Sequence, residues 1–507
     1  MDLPPKTMNT TTSASALTSA RSSDLDESYD IYAQSRAILY TADEGKKVLR
    51  KIDIRLLPLL IIIFLLQMLD KNSINFASVY GFREGTNLKG QDYSWIGSIF
   101  YFGYLIAQWP AGLALQKLPT GKFLSLTTIG WGALLMTTPA CHNFAGEAAN
   151  RFLLGMLEAV VNPGFMLMMS MWYTTNEQPL RLEAYYCTSG LATMFGGLIG
   201  YAIGHIETGL PRWMYVFLIF GGVSVAIGIM SLLYLPDLPS TAKFLSGRER
   251  AIAVVRVAGN RQGVKNSHFK RYQVWEATRD PKIWLSFIIA VGAQIPNSAL
   301  TTFTSIIVES FGFDTLGTQY LQIPGGAISF LSLLTGGIVA TRFATRFHAR
   351  SICMIFANTA CVVGSGWLVG LPDSNKWVRL VALWLCYFQA LGFSMVMTFV
   401  SSNIAGTTKK QVTGALLFVG YCIGNIIGPQ TFVSSEAPHY HSAYIAMLVG
   451  YVTKLTAAII LYIYMYSMNK RRDRDAIFSN INGDGDGTEN GMLDQTDLEN
   501  KYFRYTL

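Results

Sequence analysis

The stretch Arg151-Phe-Leu-Leu-Gly155-Met-Leu-Glu158-Ala159-Val-Val-Asn162-Pro163-Gly164 decides how this chain folds. It is apolar enough to lie in hydrocarbon, yet it carries an arginine and a glutamate. Positions 151, 155, 158 and 162 fall at i, i+4, i+7 and i+11, so Arg151, Glu158 and Asn162 share one stripe of a helix. A charge at the centre of a membrane helix costs roughly 2.5–3.5 kcal/mol on insertion scales. Such a residue persists where it faces a partner or a water-filled path. The stripe is therefore either a buried ion pair that fixes helix packing or a functional site inside the membrane.

Working outward, the chain has 507 residues, 51% hydrophobic and only 14% charged. Its apolar residues gather in blocks of roughly twenty, enough to cross a ~30 Å hydrocarbon core. Blocks are read at 56–77, 93–115, 123–140, 147–172, 184–205 and 213–235. After a polar gap come 283–308, 318–340, 352–371, 379–404, 412–433 and 442–468. The predicted fold is an all-α membrane protein, with twelve transmembrane helices in two pseudo-symmetric six-helix bundles. The domain reading is a disordered tail over 1–45, an N-terminal bundle over 46–235 and a central loop over 236–282. A C-terminal bundle over 283–470 and a disordered, acidic, Gly/Asn-rich tail over 471–507 complete it.

The formal net charge of +8 reports topology and not a nucleic-acid partner. Lys and Arg crowd alternate loops: Lys46, Lys47, Arg50, Lys51 and Arg55, then Lys117 and Lys122, Arg342, Arg346 and Arg350, Lys409 and Lys410, and Lys470, Arg471, Arg472 and Arg474. The opposite loops are sparse in them, which predicts cytoplasmic termini and a cytoplasmic central loop. In that loop Ser246-Gly-Arg-Glu249, followed by Arg250 to Arg256, predicts a capped amphipathic helix on the inner leaflet. The six cysteines are dispersed, without a C-x-x-C pair or a metal-like cluster, so they read as buried small residues. Asp484 and Asp486 resemble part of a calcium loop whose terminal glutamate is missing. No nucleophile–base set or phosphate loop stands out, so neither enzyme activity nor ATP-driven pumping is expected, and no cofactor or metal.

With the helices placed, several motifs carry a resemblance. They are Leu69-Asp70-Lys71, Asp92-Tyr-Ser-Trp-Ile-Gly97 running on to Tyr104, and Arg151-Phe-Leu-Leu-Gly155 with Glu158-Ala159 and Pro163-Gly164. Leu235-Pro-Asp-Leu-Pro follows, with Arg248-Glu-Arg250, Ser402-Asn403-Ile-Ala-Gly406 and Gly424-Asn425-Ile-Ile-Gly428-Pro429-Gln430. This ordered set, from about 52 to 473, resembles the major facilitator superfamily, and within it the fungal allantoate permease family of the anion:cation symporter group. Two departures stand out. Lys71 takes the place of an arginine common in the wider family, and the loop 115–122 lacks the acidic residue of the general facilitator motif.

The resemblance implies secondary active transport of a small organic anion or zwitterion, coupled to protons moving inward. The expected working form is a monomer in the plasma membrane, importing by alternating access between the two halves. Ureido acids, small peptides, vitamins and sulfur acids are the solute classes it implies. An exporter of a secondary metabolite and a nutrient receptor that binds without transporting are the alternatives. Glu158 is the candidate proton carrier, since burial opposes its charge while Arg151 favours it. Arg151 suits carboxylate holding through its bidentate fork. Asp70 and Lys71 point about 100° apart, so one is free to line a cavity while the other packs against a neighbouring helix. Tyr101 and Gln108 lie on a stripe of the second helix, and Gln294, Asn297 and Thr301 on one of the seventh. Asn162 and Asn425 complete the candidate set. Gln389 and Asn425 are singletons of the kind more often structural than ligand-binding, and Lys454 reads as a cation that snorkels or makes a contact in the complex.

Overall fold

A computed structural model describes residues 40–174, 177–258, 270–343, 348–478, 496–500 and 503–507. Most of the amino tail and the segment holding Asp484 and Asp486 lie outside the described residues. Among these residues twelve long helical bodies follow one another. The first six are α1 (Ala42–Ser78), α2 (Asp92–Lys117), α3 (Thr120–Thr137), α4 (Phe144–Glu158 and Val161–Trp172), α5 (Gln178–Gly204) and α6 (Arg212–Tyr234). Then come α7 (Pro281–Ser298, running through a wider turn at Ala299–Phe303 into Thr304–Ser310), α8 (Ile323–Arg342) and α9 (Ala349–Gly370). The last are α10 (Lys376–Leu385, tightening over Cys386–Phe388 into Gln389–Asn403), α11 (Thr407–Gln430) and α12 (His441–Phe478). Ten of the twelve are long and apolar enough to cross a membrane. In α2 the residues Asp92, Gln108 and Lys117, and in α3 Lys122 with its threonines, dilute the apolar character.

The packing repeats with a shift of six helices. In the first half α1 lies against α5 and α6, α3 against α6, and α2 against α4. In the second, α7 lies against α11 and α12, α9 against α12, and α8 against α10. The halves meet through α5 with α8 and α2 with α11, which the same shift also interchanges. Glycines permit the closest approaches, since without a hydrophobic drive in lipid helices associate by backbone proximity and packing. A Cβ on Gly155 of α4 would run into the Phe100 carbonyl of α2, and one on Gly103 into that of Phe152. Gly420, Gly424 and Gly428 of α11 seat Phe287, Gln294 and Ser298 of α7 in the same manner.

Helix α4 is kinked where the sequence reads as one straight span. The first part ends at Glu158 and the second begins at Val161. Pro163 explains the break: it has no N–H to donate to the Ala159 carbonyl four residues earlier.

The 236–282 segment holds a helix at Gly247–Ala258, with Glu249 and Ser246 capping each other (Ser246 N to Glu249 Oε2 3.0 Å). Its apolar face is covered by protein and not by the inner leaflet. Ala251, Ile252, Ala253 and Val254 are buried, and Arg256 reaches Glu177 at 2.6 Å.

The carboxyl tail also differs from the disorder that its composition suggests. α12 continues to Phe478, and Thr496, Asp497 and Tyr505 are buried under the C-terminal bundle. Asp497 pairs with Lys282 at the start of α7 and with Lys409 at the start of α11, the latter at 2.9 Å. Asp280 meets the same lysines at 3.3 and 2.8 Å. Burial alone would raise the Asp497 carboxyl. The Lys282 and Lys409 ammoniums outweigh that and hold it below the usual aspartate value. The two buried lysines, which composition does not reveal as a pair, are what order the tail.

Candidate functional site

Between the bundles lies a cavity of about 360 Å³. Its N-terminal wall carries Lys71 and Asn72 of α1, Gln108 of α2, Asn162 of α4 and Tyr186 of α5. Its C-terminal wall carries Gln294, Asn297 and Thr301 of α7, Gln389 of α10 and Tyr421 of α11. Phe64, Phe393 and Phe418 supply apolar surface between these groups.

Lys71 is the ammonium in this wall. Its Nζ makes no hydrogen bond and stands 5.5, 5.7 and 5.5 Å from the ring centres of Phe100, Tyr101 and Tyr104. An aromatic cage of this kind stabilises a cation without neutralising it. The positive end therefore remains available to an anion.

The opposite wall is a relay of amides. Gln389 Nε2 donates to Asn297 Oδ1 at 2.7 Å, Asn297 Nδ2 to Asn425 Oδ1 at 3.1 Å, and Asn425 Nδ2 to Gln294 Oε1 at 3.0 Å. The Gln389 carbonyl accepts from Lys454 Nζ at 3.2 Å. Lys454 is fully buried. It does not snorkel: it caps the backbone where α10 tightens just before Gln389. Three acceptors, Asn72 Oδ1, Gln108 Oε1 and Gln389 Oε1, have no donor. A ligand with an anionic end and N–H groups matches that inventory.

Inside the N-terminal bundle, behind the cavity, lies a second polar cluster. Asp70 Oδ2 accepts from Trp131 Nε1 of α3 at 2.8 Å and from Ser224 Oγ of α6 at 2.9 Å. Arg151 donates to Ser73 Oγ at 3.3 Å, and its guanidinium lies 5.6 Å from the Phe217 ring. Glu158 is fully buried, neither of its carboxylate oxygens has a hydrogen-bond partner, and its charged neighbours are Lys71, Asp70 and Arg151. Gln67 donates to its backbone carbonyl at 3.1 Å.

The candidate residues thus divide in two. Lys71, Gln108, Asn162, Gln294 and Asn297 line the cavity; Asp70, Arg151 and Glu158 do not. The stripe expected across Arg151, Glu158 and Asn162 is divided by the kink at Pro163. Arg151 faces Ser73 of α1 and Phe217 of α6, and Glu158 meets Gln67 of α1, while Asn162 reaches the cavity, bonded to Tyr104 at 3.0 Å and Tyr185 at 3.2 Å. Arg151 is consequently not placed to hold a ligand carboxylate. Tyr101 lies under Lys71 and Asn425 behind the amide relay, so both support the wall from outside it. Gln389, read as structural, is in the wall. The sequence reading passed over Trp131 and Ser224 altogether, because an indole and a hydroxyl distant in the chain carry no motif. At the end of loop 115–122, Asp237 accepts from the Lys122 backbone amide at 3.0 Å.

Hydrogen bonds between the bundles gather at the end away from the termini. Asn75 of α1 bonds Gln322 at 2.9 Å and the Ser305 amide at 2.7 Å, and Tyr93 bonds the Thr302 carbonyl at 2.7 Å. Ser98 bonds the Ile426 carbonyl at 2.7 Å, and Gln91 the Phe432 carbonyl at 2.8 Å. At the end that carries the termini, the link between described residues is Ser394 to Glu183 at 3.5 Å.

Known proteins share this architecture. The Major Facilitator Superfamily profile matches residues 60–429. An uncharacterized transporter of Schizosaccharomyces pombe is 36% identical over 92% of this chain and 87% of its own length. The allantoate permease of Saccharomyces cerevisiae is 34% identical over 96% and 91%, and a thiamine pathway transporter of the same yeast 31% over 97% and 93%. Among solved structures, a D-xylose–proton symporter superposes with a TM-score of 0.60 at 11% identity, covering 80% of this chain and 96% of that one. A bacterial homolog of the human lysosomal transporter Spinster, inward-facing and unoccupied, gives 0.59 at 15% identity, covering 84% and 97%. Matched along most of its length in sequence and in helix arrangement, this multi-pass membrane chain belongs to the Major Facilitator Superfamily, as a transporter akin to the allantoate permeases.

Proposed function

We propose that the protein imports a small organic anion or zwitterion across the plasma membrane together with protons, as a monomer with both termini in the cytoplasm. The observation that carries this reading is Lys71: a buried ammonium facing a cavity, without a counter-charge in hydrogen-bond contact, and backed by the separate carboxylates Glu158 and Asp70. A substrate carboxylate docks on Lys71, and its N–H groups meet the amide wall of the other bundle. One ligand thereby draws the two halves together. Glu158 neighbours both Lys71 and Arg151, so its protonation state and the charge at Lys71 are coupled. Bilayer orientation follows from the basic loops, which makes the sealed end extracellular. The names of the permease and vitamin-pathway relatives support ureido acids and vitamins within the solute class.

The test is uptake of labelled ureido acids, dipeptides, vitamins and sulfonates by cells expressing the chain, at two external pH values and with a protonophore. Accumulation of one class should rise in acid and collapse with the protonophore. Uptake indifferent to both conditions would falsify the coupling.

A further inference from the structure

Arg151 is surrounded by more acid than an ion pair requires. Its ionisable neighbours are Glu147 and Glu158 of its own helix, Asp70 of α1 and Tyr93 of α2. Glu147 lies in the first turn of α4, at the sealed end of the molecule, four residues before Arg151 and on the same helical face. It is fully buried, and neither of its carboxylate oxygens accepts a hydrogen bond. The guanidinium is equally uncommitted: it is 2% exposed, its Nε has no partner, and its hydrogen bond goes to the neutral Ser73. No carboxylate oxygen among the described residues comes within ion-pair distance of it. A buried cation without a counter-charge in contact, held between carboxylates one turn above it and two turns below, is a group with two places to go.

We propose that Glu147 is a third carboxylate of the coupling cluster, an alternative partner that draws the Arg151 guanidinium away from Glu158 and Asp70. The proposal rests on the proton-coupled reading given above. Swinging toward Glu147, Arg151 leaves the lower carboxylates free to take protons. Swinging back, it helps discharge them. The groups facing Glu147 are few: Arg151 on α4 and the Cys141 thiol in the turn before it, with Asn150 alongside. Among the described residues α3 and α6 bring no charged group to it, and α1 and α2 contribute Asp70 and Tyr93 to the surroundings of Arg151.

The consequence has a sign. Without Glu147 the guanidinium stays with Glu158 and Asp70, an opposite charge that makes those carboxylates hold protons less tightly. More acid is then needed to drive uptake. In Glu147→Gln the midpoint of the uptake–pH profile should move about one pH unit to the acid side, measured per transporter at the membrane. Glu147→Asp, which keeps the charge but withdraws it by one methylene, should move it in the same direction by less. A midpoint unmoved in both variants, while the wild-type profile stays pH-dependent, overturns the proposal and leaves the coupling intact. Loss of the Gln protein from the membrane with an unmoved midpoint in Glu147→Asp overturns it in favour of a group that only holds the fold. A flat wild-type profile removes the coupling itself, and this proposal with it.

Discussion

Two adjacent residues carry the division of labour. Helical geometry sends Asp70 and Lys71 about 100° apart, and the structure uses the difference: Asp70 turns inward to Trp131 and Ser224, and Lys71 turns to the cavity. That one of the pair could line a cavity was legible in the sequence, because adjacency on a helix fixes the angle. Which one was not legible, because the indole that claims Asp70 is 61 residues away. Since Lys71 makes no hydrogen bond, its charge serves the ligand more than the fold. Lys71→Gln should reach the membrane at near wild-type abundance, while the KM for the anion rises about 10- to 100-fold. This corresponds to a lost charge-assisted hydrogen bond of about 1.5–3 kcal/mol. A KM unchanged at normal expression would place the anion elsewhere.

At the scale of elements, periodicity located the helices and failed where an element is interrupted or recruited from afar. The kink of α4 had a visible cause in Pro163, yet the pattern alone gave no sense of how far the faces diverge beyond it. Arg151 also stands three turns from Asn162, and its guanidinium goes to Ser73 and Phe217 and not to the cavity. The carboxyl tail misled for another reason: its polar composition gives no hint of the two buried lysines waiting at the starts of α7 and α11. Asp497 binds all three pieces together.

Its carboxyl is held below the ordinary range, so the stability it contributes is complete above the unfolded aspartate value near 4 and is lost as pH falls through the depressed folded value. Asp497→Asn should therefore destabilise the purified protein at neutral pH by up to about 3 kcal/mol, the scale of breaking one partner from a buried pair. It should also expose the tail to proteolysis. The difference from wild type should vanish in strong acid. Equal thermal stability and equal cleavage at neutral pH would mean that the tail is not anchored through this residue.

For the whole molecule, two polar systems lie side by side and meet at Lys71. One is the cavity between the bundles, with the buried Lys71 ammonium in its wall and amides opposite. The other is the set of acids around Arg151, inside the N-terminal bundle. The two-bundle plan was legible in the spacing of apolar blocks and in the alternation of basic loops. The separation was not, since it depends on which face of α1 each neighbour occupies. Substrate binding and proton carriage on different groups is the central claim of this account, and Glu158→Gln tests it most directly. Glutamine keeps the shape and cannot release a proton, and exchange of solute across the membrane requires no net proton movement. In cells or vesicles, with both activities normalised to transporter at the membrane, pH-driven accumulation should be abolished while exchange persists. Accumulation that survives intact would contradict the account, and so would loss of exchange in step with accumulation.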